Sequence, residues 1–122
     1  MQMNEVDFEG RVPIDSYGPG FFRVEDRIID GNILMLDDGA KAWDGLDDIG
    51  AVIAAFGDVD VVFFGMGADI AMLPDAARTA LREAGVAFEV MGTPAACRTF
   101  NILLSEGRNI GAALLAVPAD EA

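Results

Sequence analysis

At 122 residues the chain has the size of one ordinary domain, which buries roughly two thirds of the surface its unfolded form exposes. Hydrophobic residues at 52%, charged residues at 24% and a mean hydropathy of +0.34 exclude a disordered, collagen-like or low-complexity chain. With 8 basic and 21 acidic residues the net charge is −13, which opposes nucleic acid and anionic lipid as partners, and the absence of His removes His-dependent catalysis and His-ligated metals.

The N-terminal Met1–Gly10 carries Glu5, Asp7 and Glu9 and lacks the basic and apolar regions of an export signal. No apolar run anywhere approaches the ~18 residues of a spanning helix, so direct membrane insertion is not expected. Seven Arg against one Lys, with abundant Ala, Gly and Asp, suits a GC-rich bacterial genome, and the expected location is a bacterial cytoplasm. The charge is uneven: residues 1–60 hold 4 basic and 14 acidic residues, and residues 61–122 hold 4 and 7. In the first part Val6 and Phe8 alternate with acids. After Pro13, Gly18, Pro19 and Gly20 come three strand-like stretches, Phe21–Val24, Arg27–Asp30 and Asn32–Leu36. Asp30-Gly31 between the last two is a turn signal, which predicts an antiparallel meander over residues 1–43. The acids Asp37, Asp38, Asp44, Asp47 and Asp48 lack the spacing of a calcium loop and are expected on a solvated face.

From residue 44 the period changes. Leu46, Ile49, Val52, Ile53 and Phe56 lie at helical spacing, with acids ahead and Gly57 behind. Val59–Phe64 is a nearly continuous apolar run, the pattern of a strand buried on both faces. A helix from about Pro74 to Ala84 follows, closed by Gly85; Val86–Val90 is the next strand, parallel to the first. Thr93-Pro94 reads as an N-cap and first-turn proline for a helix running to about Glu106 and closed by Gly107, and Asn109–Val117 as a last strand. Residues 44–118 therefore form an α/β half of βαβ type, joined to the meander in a single domain, with 119–122 as a frayed tail. Phe63 and Phe88 are expected in the core.

In such a sheet, loops at the carboxyl ends of the strands make the crevice, here Gly65-Met66-Gly67 and Met91-Gly92-Thr93-Pro94. Glycines that admit close approach, the Thr93 hydroxyl and a helix N-terminus can cradle an anion, with Arg98 or Arg108 as its cation. The same glycines and threonine also suit turn and cap geometry, and both arginines suit internal ion pairs. Neither a full dinucleotide fingerprint nor a Walker-type loop is present. Cys97 is the lone cysteine, which permits no internal disulfide and suits a reducing compartment. A helix N-terminus and Arg98 favour its thiolate, whereas Cys97, Phe100 and Leu104 at i, i+3 and i+7 place it on a buried face. Phe22 is expected in the core, and Trp43 suits either the core or an interaction surface.

Three stretches carry a resemblance: Ile14 to Val24, Val61 to Gly67, and above all Met91-Gly92-Thr93-Pro94-Ala95-Ala96-Cys97-Arg98-Thr99-Phe100-Asn101 through Arg108. The chain resembles, over nearly its whole length, the family of mitochondrial complex I assembly factor 3 and the adipogenesis-associated Mth-type domain proteins. That resemblance implies a three-layer α/β domain with a mixed central sheet. It implies a role in assembling respiratory complex I through protein contacts, with a complex subunit or another assembly factor as partner and no cofactor. The matching positions are Gly65, Gly67, Thr93, Cys97, Arg98, Thr99, Asn101, Glu106 and Arg108. Two positions depart: the family's usual Gly-Thr-Gly is Gly65-Met66-Gly67, and the Asp often found before the threonine is Gly92. A non-enzymatic assembly or scaffolding protein is the first expectation. A small-anion-binding protein or an unrecognised enzyme using Gly65, Gly67, Thr93, Cys97, Arg98 and Arg108 is the alternative.

Overall fold

The computed structural model describes residue 8 and residues 10–118; the Val6 alternation and the tail 119–122 lie outside the described residues. Among the described residues there are eight strands and three helices, in the order β1 Ser16–Gly18, β2 Phe21–Val24, β3 Arg27–Asp30, β4 Asn32–Leu36, β5 Gly39–Trp43, α1 Ile49–Ala55, β6 Val61–Gly65, α2 Asp75–Glu83, β7 Phe88–Met91, α3 Thr93–Ser105 and β8 Ile110–Leu114. They form an antiparallel sheet β1-β2-β3 and a mixed five-stranded sheet in the order β5-β4-β8-β6-β7. β6 runs parallel to both β7 and β8, and β4 runs antiparallel to β5 and β8. The expected class, a three-layer α/β fold with a mixed central sheet, is what the chain adopts.

Period two along the strands builds the layers. Ile33, Met35, Phe63, Ala112 and Leu114 face one side of the large sheet, where α3 (Ala96, Cys97, Phe100, Leu104) and the small sheet (Phe22, Val24) cover them. Leu34, Val62, Phe64 and Ala113 face the other side, under α1 (Ile49, Val52), α2 (Ala77, Leu81), Trp43 and Phe56. Phe22 is fully buried, as expected, and Trp43 also belongs to the core at 5% exposure, its indole N–H donating to the Asp48 carbonyl at 2.9 Å. Gly111 sits where Phe56 lies flat on the sheet: a Cβ there would stand 2.4 Å from the ring.

The antiparallel stretch divides at Asp30-Gly31. β3 pairs with β2, whereas the next strand, β4, pairs with β5 and β8, so Asp30-Gly31 is the step from one sheet to the other and not a hairpin turn. The hairpin turns are Pro19-Gly20 between β1 and β2, Glu25-Asp26, both at positive φ, and Asp37-Asp38 between Leu36 and Gly39. Asp48 is not a free surface acid: it is the N-cap of α1 and its side chain accepts from the Ala51 N–H at 3.3 Å. Helix α1 accordingly begins at Ile49, leaving Leu46 outside it.

Phe63 is 3% exposed at the centre of the sheet, while Phe88, on the edge strand, is only half-buried, edge-on to Phe64 at 6.0 Å between centroids. Phe63→Ala is expected to cost about 3–5 kcal/mol and Phe88→Ala clearly less. Equilibrium urea unfolding of the two variants checks the order, and equal losses would contradict it.

Candidate functional site

Strands β6 and β7 are parallel neighbours whose following helices lie on opposite faces of the sheet, α2 on one and α3 on the other. Their carboxyl ends therefore flank a topological switch point, the usual place for a ligand crevice. Here the two loops zip together across it. The Met66 N–H donates to the Met91 carbonyl at 2.9 Å, and the Thr93 N–H to the Gly67 carbonyl at 2.7 Å. The Thr93 hydroxyl accepts from the Gly67 N–H at 2.9 Å and donates to the Leu115 carbonyl at 2.7 Å. On the β8 side the Leu115 N–H reaches the Gly65 carbonyl at 2.8 Å.

Thr93 is thus not the N-cap of α3. Gly92 holds that position without a side-chain cap, and Thr93 is the first helical residue, fully buried. Gly65 is required by this closeness, since a Cβ there would lie 2.8 Å from the Thr93 hydroxyl and 2.9 Å from its Cα. Several donors that an anion would need are engaged inside the fold: the Gly67 N–H goes to the Thr93 hydroxyl, the Thr93 N–H to the Gly67 carbonyl and the Ala96 N–H to the Gly92 carbonyl at 3.0 Å, and Pro94 has no N–H.

Of the six residues expected in the crevice, the structure brings together Gly65, Gly67 and Thr93. Cys97 lies one turn further into α3, 5% exposed among Phe100, Leu104 and the sheet. Burial pushes its thiol from 9.0 up to about 12, against the weaker downward pull of the neighbouring Arg98 charge, so at neutral pH it is a small apolar group and not a nucleophile. Arg98 is exposed on α3. Arg108 lies beyond the far end of this 13-residue helix, about 20 Å along its axis, on the opposite edge of the sheet from the two loops. Neither arginine joins an ion pair among the described residues, where the pairs are Arg27–Glu25 and Arg78–Asp75.

Other matching positions also hold the fold together. The Asn101 side chain accepts from the Ile14 N–H at 2.9 Å and donates to the Ile14 carbonyl at 2.8 Å, acting as a strand partner for the N-terminal segment. Arg11 closes the other end of α3 by donating to the Leu104 and Arg108 carbonyls at 2.7 and 2.6 Å. Sequence reasoning assigned no role to Arg11, or to the segment after Gly67, where Ile70 and Met72 stand 69% and 73% exposed. Apolar side chains in a loop were the available signal.

Residues 14–115 match a protein family described as of unknown function, DUF498/DUF598. The chain belongs to this family. A Rhodobacter capsulatus member is 48% identical over 118 residues, covering 97% of this chain and 95% of that protein. The mouse NADH dehydrogenase (ubiquinone) 1 alpha subcomplex assembly factor 3 is 31% identical over 125 residues, covering 97% of this chain; the chain spans about two thirds (68%) of that protein's length. Among solved structures, an outer membrane protein from Bartonella henselae superposes with a TM-score of 0.78 at 37% identity, covering 91% of this chain and 99% of that one. A Mth938-like domain from Bordetella pertussis shares the fold, with a TM-score of 0.74 at 23% identity over 99% of this chain and 97% of its own. The expected resemblance to complex I assembly factor 3 is therefore an actual family relationship, and the likeness to Mth-type domains is one of fold. No helix among the described residues is long and apolar enough to cross a membrane.

Replacing Thr93 by the isosteric Val leaves the Gly67 N–H and the Leu115 carbonyl without partners in a buried place, at an expected cost of about 2–4 kcal/mol. Thr93→Ser retains both bonds and is expected to lose less in the same chemical unfolding experiment. Cys97 generates a pH dependence. Its thiol ionises near 9 when unfolded and near 12 when folded, so above pH 9 the unfolded state binds fewer protons and stability falls with rising pH. The slope approaches about 1.4 kcal/mol per pH unit between the two values. Unfolding midpoints measured from pH 8 to 11 are expected to fall less steeply for Cys97→Ala than for the parent.

Proposed function

We propose that this protein acts by association in the maturation of respiratory complex I, as a non-enzymatic assembly or scaffolding factor working in the bacterial cytoplasm. The observation that carries the reading is the similarity of 97% of the chain to the mouse assembly factor. Its partner is a subunit of the complex or another protein of its assembly. Two features of the molecule support this. The chain has no His, and the switch-point crevice that an α/β enzyme would use for substrate is closed by the Thr93 hydrogen bonds. A net charge of −13 steers encounter with a basic protein surface.

Deletion of the gene in a respiring host is the test. Complex I content on native gels and NADH:ubiquinone activity are expected to fall, while the other respiratory complexes are retained, and the intact gene is expected to restore both. Unchanged complex I in the deletion strain overturns the reading.

A further inference from the structure

Among the described residues strand β7 ends the large sheet, with β6 on one side and no strand on the other. The Ala87 and Met91 carbonyls accept from the Val62 and Met66 N–H groups, both at 2.9 Å, so residues 87, 89 and 91 turn their peptide groups toward β6. By the two-residue period of a strand, Phe88 and Val90 turn theirs outward. Nothing among the described residues bonds these outward groups. Exposed edges are ordinarily blunted by Pro, Lys or a bulge, and β7 carries only Glu89.

Beside this edge lies a groove of about 310 Å³ lined by Ile70, Ala71, Met72, Leu73, Arg78 and Val90. Ile70 and Met72 are 69% and 73% exposed, although Leu73 next to them is 3% exposed and anchors the loop in the core. Two large apolar side chains held in water beside an open strand edge contribute nothing to the core. Arg78 lines the groove with one terminal nitrogen bonded to Asp75, and its Nε is buried without an acceptor among the described residues.

We propose that the β7 edge and this groove receive an extended segment of a partner protein, one that carries an apolar side chain flanked by Lys or Arg. The segment adds a strand through Phe88 and Val90, and its apolar residue packs on Ile70, Met72 and Val90. Charge sets the flanks. Asp75 matches the Arg78 cation, while Asp69 next to Ile70 and Glu89 on the opposite face of β7 remain exposed, in a chain with net charge −13, and face the alternate side chains of an added strand. The same acids disfavour a second copy of this chain, because two-fold pairing of β7 with itself brings like rims together. The inference rests on the association reading above and names its surface and the chemistry of its partner.

The probe is a synthetic peptide alternating Val and Lys, titrated into the full chain and followed by amide NMR. Signals of Phe88, Val90 and residues 70–73 are expected to move. The double variant Ile70→Ser, Met72→Ser, which removes the apolar anchor without changing charge, is expected to bind roughly tenfold more weakly or worse. Both positions are exposed, and an unchanged unfolding midpoint confirms that the variant is folded. A peptide with Glu in place of Lys, or one N-methylated at alternate residues, is expected not to bind. Equal binding of either control, shifts confined to other parts of the chain, or indifference to the double variant overturns the proposal. The same shifts produced by raising the protein concentration alone would assign the edge to a second copy and overturn the partner. In the host, a double variant that restores complex I to the deletion strain removes the groove from the function and leaves the assembly reading standing. A deletion without effect on complex I removes that reading, and the peptide titration still decides the groove.

Discussion

The buried Thr93 side chain is the constraint on which the arrangement of the other parts depends. One hydroxyl joins the loop after β6 to the segment after β8, and the Thr93 backbone N–H adds a second tie to the first of these. Because Thr93 is also the first residue of α3, the position of that helix over the sheet is set where the strands end. A hydroxyl suits this place because it donates and accepts at once, in a site where water does not reach to supply either bond. Closing the switch point in this way converts the usual ligand crevice of an open α/β sheet into a structural joint.

From that joint, helix α3 organises the layer above the sheet. Its inner face meets Ile33, Phe63 and Leu114, and its flank binds the N-terminal segment through Asn101 and Ile14. Arg11 then covers the carbonyls at the far end. The polar residues of α3 that match the family are thus partly accounted for by architecture. Arg98 and Glu106 are exposed and make no such contact among the described residues.

The second half of the chain was legible because its strands are buried on both faces and its helices have distinct ends. Val61–Gly65 and the helix from Asp75 fall within a residue or two of their expected places, and the last strand starts one residue late, at Ile110, but ends at Leu114, three residues before the expected Val117. The first half was less so. β5, with Ala40, Lys41 and Ala42 at its centre, has little strand propensity of its own and is held by pairing with β4. Asp30-Gly31 gives the same signal whether the chain reverses into a hairpin or crosses to another sheet; pairing with β8, more than 75 residues later, decides it. At Thr93, the Thr-Pro pair is what an N-cap looks like, and the partner that draws the hydroxyl inward, Leu115, is 22 residues away. Arg108 entered the candidate site because its motif is continuous in sequence, but a helix carries the two ends of such a motif far apart.

The position of β8 in the middle of the large sheet has a consequence for how the chain can be made. During vectorial synthesis the β4–β5 hairpin and the β6–β7 pair emerge first, each with the edge that β8 will cover still open, and neither can join the other until the last strand appears between them. The intermediate therefore holds two sheet fragments and an uncovered apolar face on each, and its completion depends on contacts of long sequence separation. Until β8 pairs with both β4 and β6, the unfinished sheet holds open strand edges in its interior, the kind that invite pairing with other chains.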